Sequence, residues 1–140
     1  MQRIIAAVVV RQDGRVLLLK RSLARKSFPG KWNFVSGVIE DETPRECALR
    51  EVREELGTGF KTKLVREGVP LTDTQPEGSW EVHPFLFAHI SGEPRLDGEH
   101  TEFLWTEKEK VAGMDTVPNI TEDLKRLGLL PASRRRRENI

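Results

Sequence analysis

The chain has 140 residues, of which 37% are hydrophobic and 32% are charged, and its formal net charge is +1. This composition favours one soluble globular domain with a sizeable core, and the balanced charge excludes a protein that binds polyanions through its overall charge. The apolar N-terminal run is too short to cross a bilayer, and no signal-peptide pattern accompanies it. With Cys47 as the single cysteine, we expect a cytoplasmic protein with no membrane partner.

Three strands are predicted first along the chain. Residues 2–11 are rich in Ile and Val and predict a buried, central strand. Asp13-Gly14 lies between two apolar runs, which predicts a hairpin that returns through a strand at residues 16–21. After a polar loop, residues 32–36 predict a short third strand that leads to Gly37.

The clearest predicted helix covers residues 43–57. Thr43 can cap its start, Pro44 suits the first helical position, and Glu46 completes a Thr-x-x-Glu capping box. Gly57 provides the C-terminal stop. The apolar face of this helix contains Ala48, Val52 and Leu56. The helix therefore packs one face against the domain and presents the other.

Further strands are predicted at residues 60–66, 80–90 and 103–106, and a last helix is capped by Thr121 and ends at Gly128. This order predicts a single α/β domain over residues 1–130, with a mixed sheet covered by helices. The remaining residues, 131–140, form a basic tail that we expect to be flexible. The tail contains four consecutive arginines at residues 134–137, which leaves a nucleic-acid partner open.

Three glutamates, Glu51, Glu54 and Glu55, fall within five residues of the predicted helix. Residues three and four apart share a helix face, so we expect these side chains to point together, roughly opposite the apolar face. Their mutual repulsion costs about 0.2–0.5 kcal/mol per pair. Mg²⁺ or Mn²⁺, which favour carboxylate oxygens, would remove this cost, and Arg50 can hold the carboxylates in position. By itself the pattern also fits a solvated, charged helix face.

The segment from Gly37 to Thr58 resembles the Nudix box. Glu42 is followed by seven residues and then by Arg-Glu-Val-Arg-Glu-Glu-Leu-Gly at residues 50–57, which matches the second half of the box position for position. Residues 28–34 and 99–105 also resemble the flanking parts of this family. The sequence departs from the family in two places. Only four residues separate Gly37 from Glu42 where five are usual, and Thr58 replaces an apolar residue.

The resemblance implies an α/β/α sandwich with a mixed, partly antiparallel sheet, and a MutT-like enzyme. Such an enzyme hydrolyses a nucleoside diphosphate linked to another group by attack of water on phosphorus, with Mg²⁺ or Mn²⁺ as cofactor. Glu54 is the preferred general base, Glu99 is the alternative, and Arg50 supports the site. The implied metal ligands are the Gly37 carbonyl and the carboxylates of Glu51, Glu54 and Glu55.

The substrate is left open among (d)NTPs, ADP-ribose and NDP-sugars, and no substrate-binding residue is assigned. Trp32, Trp80 and Phe85 could stack on a base or belong to the core. Two alternatives to this function remain. The first is a Nudix module that senses a nucleotide without cleaving it, and the second is an RNA 5′-end pyrophosphohydrolase that uses the basic tail. A homodimer is also left open.

Overall fold

The computed structural model describes residues 1–132. Eight strands, two α-helices and one 3-10 helix follow one another along this part of the chain. In chain order they are β1 (Gln2–Val10), β2 (Val16–Arg21), β3 (Trp32–Asn33), β4 (Val35–Val38), α1 (Pro44–Leu56), β5 (Lys61–Glu67), β6 (Leu71–Gln75), β7 (Gly78–Ser91), β8 (His100–Thr106), the 3-10 helix (Lys108–Gly113) and α2 (Ile120–Arg126).

All eight strands belong to one sheet. Five of them lie in the order β3-β2-β1-β7-β5, while β4 pairs with β1, β6 with β7, and β8 with β2. The pair of β1 and β7 is parallel and the other pairs are antiparallel. The sheet is therefore mixed and partly antiparallel, with β1 at its centre, and both predictions are confirmed.

The two helices cover opposite faces of this sheet. The odd-numbered residues Ile5, Ala7 and Val9 of β1 belong to the hydrophobic cluster that contains the buried face of α1. The neighbouring Val8 belongs instead to the cluster that contains Ile120 and Leu124 of α2. Because successive side chains of a strand point to opposite faces, β1 separates the two helical layers. This arrangement is the predicted α/β/α sandwich.

The turn and the helix with strong local signals form where the sequence predicts them. Gly14 closes the first hairpin with a φ of +89°, a conformation that favours glycine, and its N–H donates to the Arg11 carbonyl at 2.8 Å. Helix α1 begins at Pro44 after the cap Thr43 and is followed by Gly57.

Elements with weaker local signals differ from their predictions. The third predicted strand is two short strands, β3 and β4, which pair with β2 and β1 respectively. Strand β6 and the 3-10 helix were not predicted. The sequence of β6 is Leu-Thr-Asp-Thr-Gln, which carries no apolar alternation, and the strand exists because it pairs with β7 along its whole length.

The predicted cap of the last helix is wrong. The residue at the cap position of α2 is Asn119, which adopts a left-handed conformation with φ +60° and makes no side-chain capping hydrogen bond. Thr121 lies inside the helix. Thr121 matches a capping pattern, but the helix begins one residue earlier, where the buried Ile120 packs into the core.

The predicted division into a domain at residues 1–130 and a basic tail at residues 131–140 stays a prediction. The four arginines at residues 134–137 lie outside the described residues. Within residues 1–132, no helix combines the length and the apolar character needed to span a membrane.

Candidate active site

Helix α1 carries the glutamates, and both of its ends are fixed by hydrogen bonds. Thr43 Oγ1 accepts a hydrogen bond from the Glu46 backbone N–H at 3.1 Å, and Glu46 Oε1 accepts one from the Thr43 N–H at 2.9 Å. This capping box satisfies two donors that a helix start leaves unpaired. At the other end the Gly57 N–H donates to the Arg53 carbonyl at 3.0 Å.

Arg50 binds carboxylates from the loop and from its own helix. Its Nε and Nη2 donate to the two oxygens of Glu42 at 3.0 and 2.6 Å. Its Nη1 donates to Glu54 at 3.1 Å and to Glu51 at 3.4 Å. The hydrogen bond from Arg50 holds the pKa of Glu42 at about 2. Glu46, four residues before Arg50, caps the helix start with its carboxylate.

Glu51 packs against the backbone of β4 at Gly37. A Cβ atom added to Gly37 would overlap the Glu51 carboxylate, so a side chain at this position would displace that carboxylate. The Glu51 side chain is 12% exposed. Burial, and then the hydrogen bond with Glu54, raise the pKa of Glu51 to about 7. The structure therefore brings together Gly37, Glu51 and Glu54, as the sequence predicted.

The position of Glu55 differs from the prediction. Its side chain is 6% exposed, and it belongs to the buried residues of α1 together with Ala48 and Val52. Glu55 lies seven residues after Ala48, which is close to two helical turns, so both share one face. Burial, followed by the charge of Glu51, raises the pKa of Glu55 well above its usual value. The expectation that all three glutamates lie opposite the apolar face is thus wrong for Glu55.

His100 is the neighbour of Glu55 that the sequence did not identify. Its Nε2 lies 3.6 Å from Glu55 Oε1, and its Nδ1 lies 2.8 Å from Asp97 Oδ1. His100 starts β8 directly after Glu99, and only the pairing of β8 with β2 brings it to the end of α1. The available sequence signal was its place within residues 99–105, which resemble a part of the Nudix family outside the box.

Glu99, the alternative general base, lies in the turn that precedes β8. Its side chain is 56% exposed, and its Oε1 lies 3.4 Å from Nη1 of Arg25. Its backbone N–H donates to Asp97 Oδ1 at 3.2 Å. Glu54 is similarly accessible, with 54% of its side chain exposed. Both candidate bases can therefore meet a water molecule from solvent.

The donor set suits a hard divalent cation. Glu55 Oε1 is buried without a hydrogen-bond partner among the described residues, and an ion or an ion-bound water would supply one. Carboxylate and carbonyl oxygens are the ligands that Mg²⁺ and Mn²⁺ prefer. Within residues 1–132, however, no three His, Cys, Asp or Glu side chains converge closely enough to hold an ion as they stand.

A cleft with a volume of about 170 Å³ opens beside the glutamates, and Gly37 lines it. Phe28 and Trp80 contribute aromatic walls, with ring centroids 5.9 Å apart. Asp123 of α2 also lines the cleft, and burial raises its pKa to about 8. The other polar side chains in the lining are Gln2, Arg21, Arg25, Ser27, Asn33, Ser36 and Asp73.

The three aromatic residues considered as base-stacking candidates have different positions. Trp80 lines the cleft. Phe85 is 1% exposed and belongs to the core beneath α1. Trp32 packs against the cluster around α2. Phe28 joins Trp80 in the cleft and was not considered from the sequence, although its polar loop is adjacent to the box.

Comparisons with known proteins agree with this geometry. Residues 1–126 match the family model described as NUDIX domain. The chain is 29% identical to nucleoside triphosphatase NudI of Escherichia coli O139:H28, across 92% of this chain and 99% of that protein.

Two solved structures share the fold. A MutT protein from Methanosarcina mazei Go1 is 26% identical, with a TM-score of 0.75 over 91% of this chain and 92% of its own. The NUDIX domain of Shewanella oneidensis NrtR, complexed with ADP ribose, is 16% identical, with a TM-score of 0.71 over 91% of this chain and 86% of its own. The chain therefore belongs to the Nudix family and is a nucleoside diphosphate-X pyrophosphohydrolase.

Proposed function

We propose that this chain hydrolyses a nucleoside triphosphate at a diphosphate linkage, with Mg²⁺ or Mn²⁺ bound by the glutamates of α1 and the base bound in the adjacent cleft. The observation that supports this most strongly is the position of Gly37, which contacts the Glu51 carboxylate and also lines the cleft. One ligand can therefore place its phosphates at the glutamates and its base against the aromatic side chains.

The residues that would hold the cation are the carboxylates of Glu51, Glu54 and Glu55 with the carbonyl of Gly37. When bound, a divalent cation neutralises phosphate charge and lowers the pKa of a bound water molecule. Arg50 keeps Glu51 and Glu54 in position through its two hydrogen bonds at 3.4 and 3.1 Å.

Glu54 is the preferred general base and Glu99 the alternative. Each is an exposed carboxylate that can accept the proton of the attacking water. Arg25 lies beside Glu99 and lines the cleft, and Arg21 lines it as well. Their guanidinium groups would offset the negative charge of the phosphates. They would also help to hold the triphosphate group in place between the bound base and the glutamates.

The cleft supports a nucleotide substrate of modest size. Phe28 and Trp80 can stack on a base, while Asn33, Asp73 and Asp123 can hydrogen-bond its edge. A relative named nucleoside triphosphatase favours (d)NTPs over the other nucleotides left open by the sequence. ADP-ribose is the natural comparison substrate, because the related NUDIX domain of NrtR is complexed with it.

Phosphate and pyrophosphate release over a panel of nucleotides tests the proposal. The panel contains (d)NTPs, ADP-ribose, NDP-sugars and a 5′-triphosphorylated RNA, each with Mg²⁺, with Mn²⁺ and with a chelator. We expect cation-dependent hydrolysis of (d)NTPs that Glu54→Gln or Glu99→Gln reduces. Glu67→Gln, at an exposed glutamate on β5 outside the box, is the matched control.

Each alternative has its own outcome in this assay. Preferential cleavage of the RNA end would replace the small-nucleotide proposal. Tight cation-dependent nucleotide binding without turnover on any substrate would support the sensing module. Full activity in the presence of chelator would show that hydrolysis does not require a divalent cation.

A further inference from the structure

Asp123 is a buried residue of α2 that lines the cleft. It is 7% exposed and lies on the helix face that packs Ile120 and Leu127 into the core. Residues three and four positions apart share a helix face, which places Asp123 between these two apolar side chains. Its carboxyl group is therefore a polar group on a buried helix face, in the same cleft as Phe28 and Trp80.

The carboxyl group of Asp123 has no hydrogen-bond partner within residues 1–132. Burial and neighbouring charges act on it, but no hydrogen bond does. Neither of its oxygens is completely enclosed, because Oε1 of Glu55 is the enclosed side-chain atom without a partner in this part of the chain. A buried polar group without a partner destabilises a folded protein. A ligand in the cleft would supply the missing partner.

Asn33, another polar side chain in the cleft, already has hydrogen bonds within the protein. Its Nδ2 donates to Oγ of Ser36 at 3.1 Å, and its Oδ1 accepts from the Phe34 N–H at 2.8 Å. These bonds hold the amide in place as part of the fold. The carboxyl group of Asp123 has no such bond among the described residues, so it is the better placed of the two to bind a ligand.

Asp73 supplies an acceptor in the same cleft. Its Oδ1 accepts hydrogen bonds from Nε2 of Gln75 at 2.9 Å and from Nδ2 of Asn119 at 2.7 Å. Both donors suit a carboxylate, which only accepts hydrogen bonds. Asp73 is also the cross-strand partner of Trp80 in the pair of β6 and β7. A base stacked on Trp80 would therefore lie near a fixed acceptor.

Asp123 supplies a donor. Burial, and then the charge of Asp73, raise the pKa of Asp123 to about 8. Below that pH the carboxyl group is uncharged, and an uncharged carboxyl group has one O–H donor. The charged side chains that act on Asp123 or line the cleft with it are Asp73 of β6, Glu122 and Arg126 of α2, Arg21 of β2 and Arg25 of the following loop.

We propose that Asp123 determines specificity for the base by donating a hydrogen bond from its uncharged carboxyl group to an acceptor atom of that base. The inference rests on the proposed function, because it assigns a contact to the base of the same nucleotide. A base whose edge carries an acceptor next to an N–H group fits Asp123 and Asp73 together. Asp123 is absent from the glutamate site, so it acts on nucleotide affinity and not on the reacting phosphate.

Two substitutions separate the donor from the charge. Asp123→Leu has a similar size and no donor, so we expect KM for the nucleotide to rise by roughly 3- to 10-fold, the usual worth of one hydrogen bond. The value of kcat should stay within about twofold. Asp123→Asn keeps an N–H donor that does not ionise, so its KM at pH 7 should stay within about threefold of that of the unchanged chain.

The experiment compares the (d)NTP that is cleaved most rapidly with ribose 5′-triphosphate, which has the same phosphates and no base. The ratio of the inhibition constant of ribose 5′-triphosphate to KM of the nucleotide reports the contribution of the base. Effects of pH on the phosphates and on Mg²⁺ cancel in this ratio. Melting curves identify variants that fold, and Glu67→Gln, at an exposed glutamate on β5, is the matched control.

The pH dependence of this ratio is the decisive readout. Because the donor is lost when Asp123 ionises, the ratio for the unchanged chain and for Glu67→Gln should fall by roughly 3- to 10-fold between pH 7 and pH 9. The ratio for Asp123→Asn should fall less than twofold over the same range. Titration of the base itself is the same in every variant and cancels in this comparison.

Two results would overturn the inference. The first is an unchanged ratio in folded Asp123→Leu, and the second is a fall in Asp123→Asn that parallels the unchanged chain. If the chain cleaves no nucleoside triphosphate, the proposed function fails. If it cleaves one but binds ribose 5′-triphosphate equally well, the inference about Asp123 alone fails.

Discussion

Glutamate side chains on the two sides of helix α1 lie in opposite environments. On one side Arg50 donates to Glu42, Glu51 and Glu54, and its hydrogen bond lowers the pKa of Glu42 to about 2. On the other side Glu55 is buried, and burial raises its pKa well above the usual range. Arg50 thus compensates the carboxylates on its side, whereas Glu55 has a carboxylate oxygen with no hydrogen-bond partner among the described residues. Environment, and not residue type, sets the pKa of each carboxyl group here.

Glu55→Gln removes the charge on the uncompensated side and should have the largest effect. We expect cation-dependent hydrolysis to fall more than about 100-fold, since a direct ligand should matter more than the residues that support it. The ion-free protein should become more stable at neutral pH. Because the folded state raises the pKa of Glu55, its ionisation penalises folding as pH rises above the unfolded value of 4.5.

Activity assays with Mg²⁺ measure the loss of hydrolysis, and melting curves in chelator measure the stability of the ion-free protein. Glu67→Gln should change neither quantity appreciably. A variant that keeps activity, or that is less stable in chelator at neutral pH, would contradict the contrast between the two sides.

Arg50→Ala removes the guanidinium group that donates hydrogen bonds to Glu42, Glu51 and Glu54. We expect a loss of activity of about 10- to 100-fold, because Glu51 and Glu54 lose the donor that orients them. The melting temperature should also fall, since Glu42 loses both of its hydrogen bonds from the guanidinium group. Arg53→Ala removes an exposed arginine from the same helix and serves as the control. Equal effects of the two substitutions would refute a specific role of Arg50.

Asp123→Asn tests the effect of burial on a carboxyl group that lies away from α1. The pKa of Asp123 is about 8 in the fold and 3.8 in the reference state, so between these values unfolding releases a proton. Stability should therefore decrease with rising pH by up to about 1.4 kcal/mol per pH unit in this window and level off above it.

The Asn variant lacks this decrease, so its stability relative to the unchanged chain should grow from pH 5 to pH 8. Urea unfolding at several pH values in chelator measures the difference. Glu67→Gln, at an exposed glutamate on β5, is the matched control. A difference for Asp123→Asn that does not change with pH would show that its burial carries no such penalty.

Thr43→Ala tests the helix start that supports both sides, and its effect should be the smallest. Loss of the hydrogen bond from the Glu46 N–H should cost about 1 kcal/mol of unfolding free energy. Activity per folded molecule should change little, because the glutamates lie at least two turns further along. Thr58→Ala, an exposed threonine just beyond the same helix, is the control for chemical denaturation.

The parts of the fold that local chemistry specifies could be predicted from the sequence. The capping box at Thr43, the stop at Gly57 and the turn at Gly14 each depend on residues within a few positions. The box also identified Glu51, Glu54 and Gly37 as neighbours. By contrast, β6 was not predicted, because it forms through its pairing with β7. The start of α2 was misplaced, because the packing of Ile120 into the core decides it.

Residues close together along the chain specify the glutamate helix, its caps, its supporting arginine and the motif of the family, so these features could be identified without the fold. Tertiary structure alone decided that Glu55 is buried while Glu54 is exposed, and that His100 reaches Glu55. It also decided that Phe28 and Trp80 share one cleft. These features depend on strands and loops that are distant in sequence, and the burial that shifts a pKa exists only after those segments have packed together.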